Sequence, residues 1–167
     1  MGTIDDDGFR RLVGDHSSAI GSYLRRRLYP LTASDLDDLV EETLIIVWRR
    51  RADIPAGAEL PWMIGVARNV LRNARRSRQR RTSLESSLKV APTDASAEDY
   101  VVADATVREA LARLSDDDRE IVMLSAWDGL DVHAIATALS ITTNVAAVRL
   151  TRAQSRFREF FAAVEVA

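Results

Sequence analysis

At 167 residues, 47% apolar and 29% charged, the chain has a soluble globular composition and room for one ordinary domain or two small ones. It has no cysteine and only two histidines, His16 and His133, which excludes disulfide scaffolding, thiolate zinc sites and cysteine nucleophiles and leaves no metal site signalled. The net charge of −2 hides a segregation, with residues 1–83 at +4, residues 84–105 at −4 and residues 106–167 at −2.

No apolar run approaches the roughly 20 residues of a membrane span. The start, Met-Gly-Thr-Ile-Asp-Asp-Asp, is acidic where a secretory leader is basic and then apolar, so the expected location is the cytoplasm, with no membrane contact of the protein's own.

Helical periodicity dominates and strand signals are nearly absent. A first helix is predicted from about Asp7 to Leu28, with Phe9, Leu12, Val13, Ile20 and Leu24 on its buried face. A second begins near Ser34 as N-cap, and Leu36, Leu39, Val40, Thr43, Leu44 and Val47 follow the spacing of one buried stripe. Asp35, Asp37, Asp38, Glu41 and Glu42 place five acids in eight residues with no base among them. Acids near a helix start stabilise it, and the same charge also suits docking of a basic partner.

Pro55 and Gly57 break the pattern, and a third helix opens near Pro61 and continues to about Arg80. Between Arg68 and Arg81 it carries seven arginines in fourteen residues, and Arg68, Arg72, Arg75 and Arg76 line one side. That density is the electrostatic footprint of nucleic-acid binding. Six neutralised phosphates would give a salt slope of about −5 on duplex DNA or about −4 on single strands.

Residues 82–97 lose periodicity and read as a flexible linker between a module at 1–81 and a module at 98–167. The second module is predicted to hold a helix over Glu98–Leu114, then one opened by a capping box at Ser115-Asp-Asp-Asp118 that ends at Asp128-Gly129. A short helix Val132–Leu139, a four-residue turn and a long helix from about Asn144 to Ala163 have the dimensions of a helix-turn-helix. On the last helix Ala146, Leu150, Ala153, Phe157, Phe160 and Phe161 form the expected buried stripe. Arg149, Arg152 and Arg156 align on a neighbouring face, within reach of phosphates or guanine edges. The expected architecture is all-α, two small helical domains joined by a flexible linker.

In their order along the chain these features resemble the sigma-70 family of RNA polymerase sigma factors, extracytoplasmic-function (ECF) subfamily. Asp35-Leu-Asp-Asp-Leu-Val-Glu-Glu-Thr-Leu44 with Trp48 is similar to the region 2 helix that docks on the β′ clamp helices of the polymerase core. By that resemblance Asp35, Asp38, Glu41, Glu42 and Trp48 bind core. Leu60-Pro-Trp-Met-Ile-Gly-Val-Ala-Arg-Asn69 resembles the helix that, with the loop Ala52–Glu59 before it, recognises and melts the −10 element. This implies −10 roles for Trp62, Arg68, Asn69, Arg72, Arg75 and Arg76.

Leu114-Ser-Asp-Asp-Asp-Arg-Glu-Ile-Val122 and the helix-turn-helix resemble region 4, which reads the −35 element and meets the β flap. The residues so implicated are Thr142, Asn144, Val148, Arg149, Thr151, Arg152 and Arg156. Ser140 and Asn144 stand where glycines are frequent, and Ala147 where a basic residue is. The resemblance implies promoter-specific initiation of transcription without cofactor, metal or catalytic residue, and an anti-sigma factor as a further partner. It also implies that the acidic linker, with Asp94, Glu98 and Asp99, threads toward the RNA exit channel. Two other readings stay open: a stand-alone helix-turn-helix regulator, which leaves the acidic helix idle, and a helical scaffold or enzyme using the clustered acids.

Overall fold

The computed structural model describes residues 4–85 and 104–166, which fall into two compact helical units. The expected linker beyond Glu85, its acids, and the start of the helix expected at Glu98 lie outside the described residues. Among the described residues there are seven α-helices and no strand.

In the first unit α1 (Asp6–Arg25) starts at Asp5, whose carboxylate accepts the Gly8 N–H at 2.8 Å. A 3-10 turn (Ala33–Asp35) then leads into α2 (Leu36–Arg49). The cap here is Thr32 and not Ser34: the Thr32 N–H and hydroxyl donate to Asp35 Oδ2 at 2.7 and 2.9 Å. Asp35 is the only acid three residues beyond an extended residue at this point, so the reciprocal pair forms two positions earlier than expected. A second 3-10 turn (Arg51–Asp53) precedes α3 (Glu59–Glu85).

The three helices pack on one another around Leu12, Ile20, Tyr23, Leu24, Leu39, Val47, Met63, Ile64, Ala67, Val70 and Leu71, all buried. α3 runs past the expected end of the module, so residues 82–85 are helical, and the Thr82 hydroxyl donates back to the Arg78 carbonyl at 3.1 Å. Only Gly and Pro stop a helix firmly, and neither occurs from Arg76 to Glu85.

In the second unit α4 (Ala105–Ala112), α5 (Asp116–Ala126) and α6 (Val132–Leu139) all pack against α7 (Thr143–Glu165). Ser115 caps α5 by accepting the Asp118 N–H at 3.2 Å, and Asp131 caps α6 by accepting the Ala134 N–H at 2.8 Å. Gly129, at φ 68°, supplies the left-handed residue that turns the chain out of α5.

α6 and α7 meet at 105°, the crossing of a helix-turn-helix. The turn between them is three residues long rather than four, because Thr142 is the N-cap and accepts the Val145 N–H at 3.2 Å. Ala146 and Ala153 are fully buried and Leu150 nearly so, whereas Phe157, Phe160 and Phe161 are only half-buried. The phenylalanines lie in the last turns of α7, and the rings of Phe157 and Phe161 cover each other at 5.9 Å between centroids.

Ser140 ends α6 in the left-handed region at φ 54°, donating to the Thr137 carbonyl, while the Ile141 N–H donates to that of Ala136. This is the paired closure in which glycine is favoured. The left-handed backbone costs an ordinary residue about 1–2 kcal/mol, against about 0.5–1 kcal/mol for the extra freedom glycine loses on folding. Ser140→Gly is therefore expected to stabilise the second unit by about 0.5 kcal/mol. Ser140→Val, with a branched side chain there, should destabilise it. Calorimetric unfolding of the two variants checks the opposite signs.

Candidate nucleic-acid and docking interfaces

The acids of α2 do not act as one block. Asp35 is drawn back onto Thr32, and the Thr32 backbone N–H, then its hydroxyl, hold the carboxyl below the usual aspartate range. Asp37, Asp38, Glu41 and Glu42 face solvent. Beside them lies an open apolar groove of about 470 Å³ lined by Phe9, Val40, Leu44, Ile45 and Trp48, with Asp37 and Glu41 on its rim. Ile45 remains 42% exposed there.

The Trp48 indole closes the groove and is held from two sides. The Phe9 ring meets it edge-on at 4.9 Å, and the Arg51 guanidinium stacks 3.9 Å from its centroid while donating to the Trp48 carbonyl at 2.9 Å. An apolar trough rimmed by exposed acids fits an amphipathic, basic helix.

The loop from Arg51 to Ala58 is tied at both ends. Arg50 pairs with Asp53 at 3.1 Å and lies over the half-buried Trp62 ring at 5.2 Å. Gly57, at φ 79°, donates its N–H to Glu59 Oε1 at 2.9 Å, and that bond, followed by one from its own backbone, depresses the Glu59 carboxyl. The loop therefore enters α3 with a set geometry.

On α3 the buried stripe Met63, Ile64, Val66, Ala67, Val70 and Leu71 leaves Asn69, Arg72 and Arg76 on the outward side, all exposed. Arg68 sits at the flank, half-buried. Among the described residues Arg68, Arg72 and Arg76 form no ion pair. Arg75 departs from the expectation of an open nucleic-acid contact. Its Nε donates to the Tyr29 carbonyl at 2.9 Å and its Nη2 to that of Arg27, so it fastens the chain after α1 to α3. Arg27 is itself 2% exposed, its guanidinium 4.0 Å over the Tyr23 ring.

On α7, Asn144, Val148, Thr151 and Arg152 point away from the buried stripe, and Arg149 is exposed beside them. The Thr151 hydroxyl donates back to the Ala147 carbonyl at 3.0 Å, and the Thr142 hydroxyl is the helix cap, so both are engaged locally. Arg156 also departs from the expected open row: its guanidinium pairs with Asp118 of α5, only 16% exposed. That same carboxylate is the one expected to close the capping box at Ser115.

Sequence reasoning missed Arg119, 4% exposed at the α4–α5 joint. Its Nε donates to the Leu111 carbonyl at 2.8 Å, and its Nη2 to those of Leu114 and Ala112 at 3.0 and 3.3 Å. Its position three before Val122 and four before Met123, on the apolar side of α5, was the available signal.

Among the described residues no group of three or more His, Asp or Glu could hold a metal ion. No single described helix is long and apolar enough to cross a membrane.

The sequence matches two family models, described as sigma-70 region 2 over residues 12–81 and sigma-70 region 4 over residues 104–156. It is 31% identical over 151 residues to the ECF RNA polymerase sigma factor SigL of Mycobacterium tuberculosis, covering 84% of this chain and 81% of that one. It is 29% identical over 165 residues to the RNA polymerase sigma factor CarQ of Myxococcus xanthus, covering 96% and 92%. In fold it is similar to the sigma factor RpoE of Bartonella quintana, solved with the anti-sigma factor NepR, at a TM-score of 0.59, 19% identity and 93% and 95% coverage. A second similar fold is that of CnrH, solved with the cytosolic domain of CnrY, at a TM-score of 0.60, 20% identity and 95% and 90% coverage.

Proposed function

The chain belongs to the sigma-70 family of RNA polymerase sigma factors, in its ECF branch, and from that premise we propose how its surfaces divide the work. As a sigma factor it binds the polymerase core and directs promoter-specific initiation of transcription, taking promoter DNA and core polymerase as partners.

The observation that carries the assignment of surfaces is the opposite character of two neighbouring helices in the first unit. α2 presents exposed acids beside an apolar groove, and α3 presents exposed arginines without ion pairs among the described residues. The groove, with Asp38, Glu41, Glu42 and Trp48, receives the β′ clamp helices, and Asp35 supports that surface as a cap. Asn69, Arg72 and Arg76, with Arg68 at the edge and Trp62 behind the loop, follow the −10 strand once it is opened. Exposed cations track its phosphates, and the loop offers a fixed wall against an unstacked base.

α7 reads the −35 duplex in the major groove through Asn144, Val148, Arg149 and Arg152, with Thr142 and Thr151 shaping the helix. The second unit also meets the β flap. An anti-sigma factor would compete for the groove of α1 and α2, where the same acidic and apolar chemistry is open. The protein works in the cytoplasm and contributes geometry and binding energy rather than a chemical step. A stand-alone helix-turn-helix regulator would leave the α2 groove without a role.

Salt dependence tests the assignment on α3. With single-stranded −10 DNA and the holoenzyme, Arg72→Gln with Arg76→Gln is expected to reduce the salt slope by about 1.4, two phosphates at about 0.7 each. Arg75→Gln should leave the slope unchanged and lower the unfolding temperature of the first unit instead. The assignment fails if Arg75→Gln reduces the slope and the double variant does not.

A further inference from the structure

We infer that Val148 reads the 5-methyl group of a thymine in the −35 element, which makes an A·T pair at one position part of what this sigma factor selects. The inference rests on the −35 reading of α7 and adds the chemistry of the base that its outward centre takes.

An exposed valine on a protein surface ordinarily carries no meaning. The place of this one gives it meaning. Val148 is 42% exposed on the second helix of the helix-turn-helix, just past its first turn, where side chains of such helices reach base edges. It lies diametrically across the helix from the buried Ala146, Leu150 and Ala153 and is flanked along the outward line by Asn144 one turn before and Arg152 one turn after. Asn144, Thr151 and Arg152 around it can hydrogen-bond, and Val145, 37% exposed three residues before, lies further from the centre of that face, so Val148 is its central apolar side chain.

In the major groove the four base pairs differ by donors, acceptors and one apolar group, the thymine C5-methyl. An isopropyl group pressed against a base edge can match only that methyl. Against cytosine it would cover the N4 amino group and leave a donor without a partner, which costs more than the missing methyl. Arg149 and Arg152, exposed and without ion pairs among the described residues, can hold the helix in the groove through phosphates or a guanine while Val148 is at the bases. Position 147, next to it, is a half-buried alanine, which leaves the valine unobstructed.

The test removes a methyl group and nothing else. The holoenzyme of the full chain is titrated with promoter fragments in which each thymine of the −35 element, on either strand, is replaced in turn by deoxyuridine. A fragment with the whole element scrambled serves as reference. At one position deoxyuridine is expected to weaken binding about fourfold, the factor for one buried methyl, and cytosine about tenfold or more. Val148→Ala, which replaces a β-branched residue by a better helix former and leaves the fold in place, should bind deoxyuridine and thymine equally at that position.

If the scrambled element weakens binding but no deoxyuridine does, the −35 reading stands and this inference is overturned. A deoxyuridine effect of full size that persists in Val148→Ala overturns it as well, since another group then reads the methyl. If scrambling changes nothing, the −35 reading of α7 itself falls, and the inference with it.

Discussion

Arg119→Ala is expected to unfold the second unit while leaving the first intact. The guanidinium is 4% exposed and donates to the carbonyls of Leu111, Ala112 and Leu114, with Asp116 Oδ1 at 3.2 Å as an outer partner. Those carbonyls close the last turn of α4 and the bend after it, where the backbone supplies a donor to Leu111 from Leu114 but a helix end leaves other carbonyls without one. Alanine would strand the buried Leu114 carbonyl and the partly buried Ala112 carbonyl, at about 1–3 kcal/mol each, while the Leu111 carbonyl keeps the Leu114 N–H at 3.1 Å. A domain of this size holds only about 3–9 kcal/mol in total, so the loss takes a large share of it.

Arg119→Lys keeps the charge but has no planar fork, and should fall between the two. Trp127 is the single tryptophan of the second unit, so its fluorescence in a urea titration reports this unit alone when Trp48 and Trp62 are replaced by phenylalanine. A cooperative transition at nearly the unaltered midpoint in Arg119→Ala would show that the buried arginine is dispensable.

Ile45→Glu is expected to weaken core binding about thirtyfold, or about 2 kcal/mol, the size of a central interface residue. The side chain is 42% exposed, so the substitution leaves the packing of α1, α2 and α3 in place. It sets a carboxylate among Phe9, Val40, Leu44 and Trp48, where a docked helix would have to strip it of water beside Asp37 and Glu41. Glu41→Lys, on the rim, should act mainly through the association rate and lose its effect at high salt. Fluorescence anisotropy of the labelled protein against core polymerase reads both. Unchanged affinity in Ile45→Glu would move the docking surface off the groove of α1 and α2.

The parts legible in the sequence are those set by short spacings. The caps at Ser115 and Thr142 lie three residues before the N–H groups they satisfy, and the buried Leu39, Thr43 and Val47 of α2 and Ala146, Leu150 and Ala153 of α7 follow from helical periodicity. Leu36, Val40 and Leu44, expected in the buried stripe of α2, instead stay half-buried, the last two lining the groove. The three motifs also carried the family. What the sequence did not disclose is which arginines are spoken for. Arg75 binds carbonyls 46 and 48 residues away, and Arg156 a carboxylate 38 residues away, and no local pattern separates them from the open Arg72 and Arg152 beside them.

Arg27 and Arg119 are hidden for the same reason, since arginine reads as surface until the fold brings carbonyls around it. Thr32 took the cap from Ser34 because the acid it pairs with lies at position 35. The apolar groove beside the acids needed Phe9 of α1 next to α2, a tertiary contact. Acidic clusters alone do not distinguish a docking surface from a stabilised helix start; the groove beside this one is what supports the proposed docking surface.

The most direct test of the central claim is run-off transcription with purified bacterial core polymerase on a pool of promoter fragments, with and without the protein. Specific transcripts should appear only with the protein, and aligned start sites should share elements near −10 and −35. Arg72→Gln with Arg76→Gln should impair response to the first element, and Val148→Ala should relax choice at the second. Failure to form a complex with core or start any transcript, together with binding of duplex DNA by the protein alone, would contradict the account.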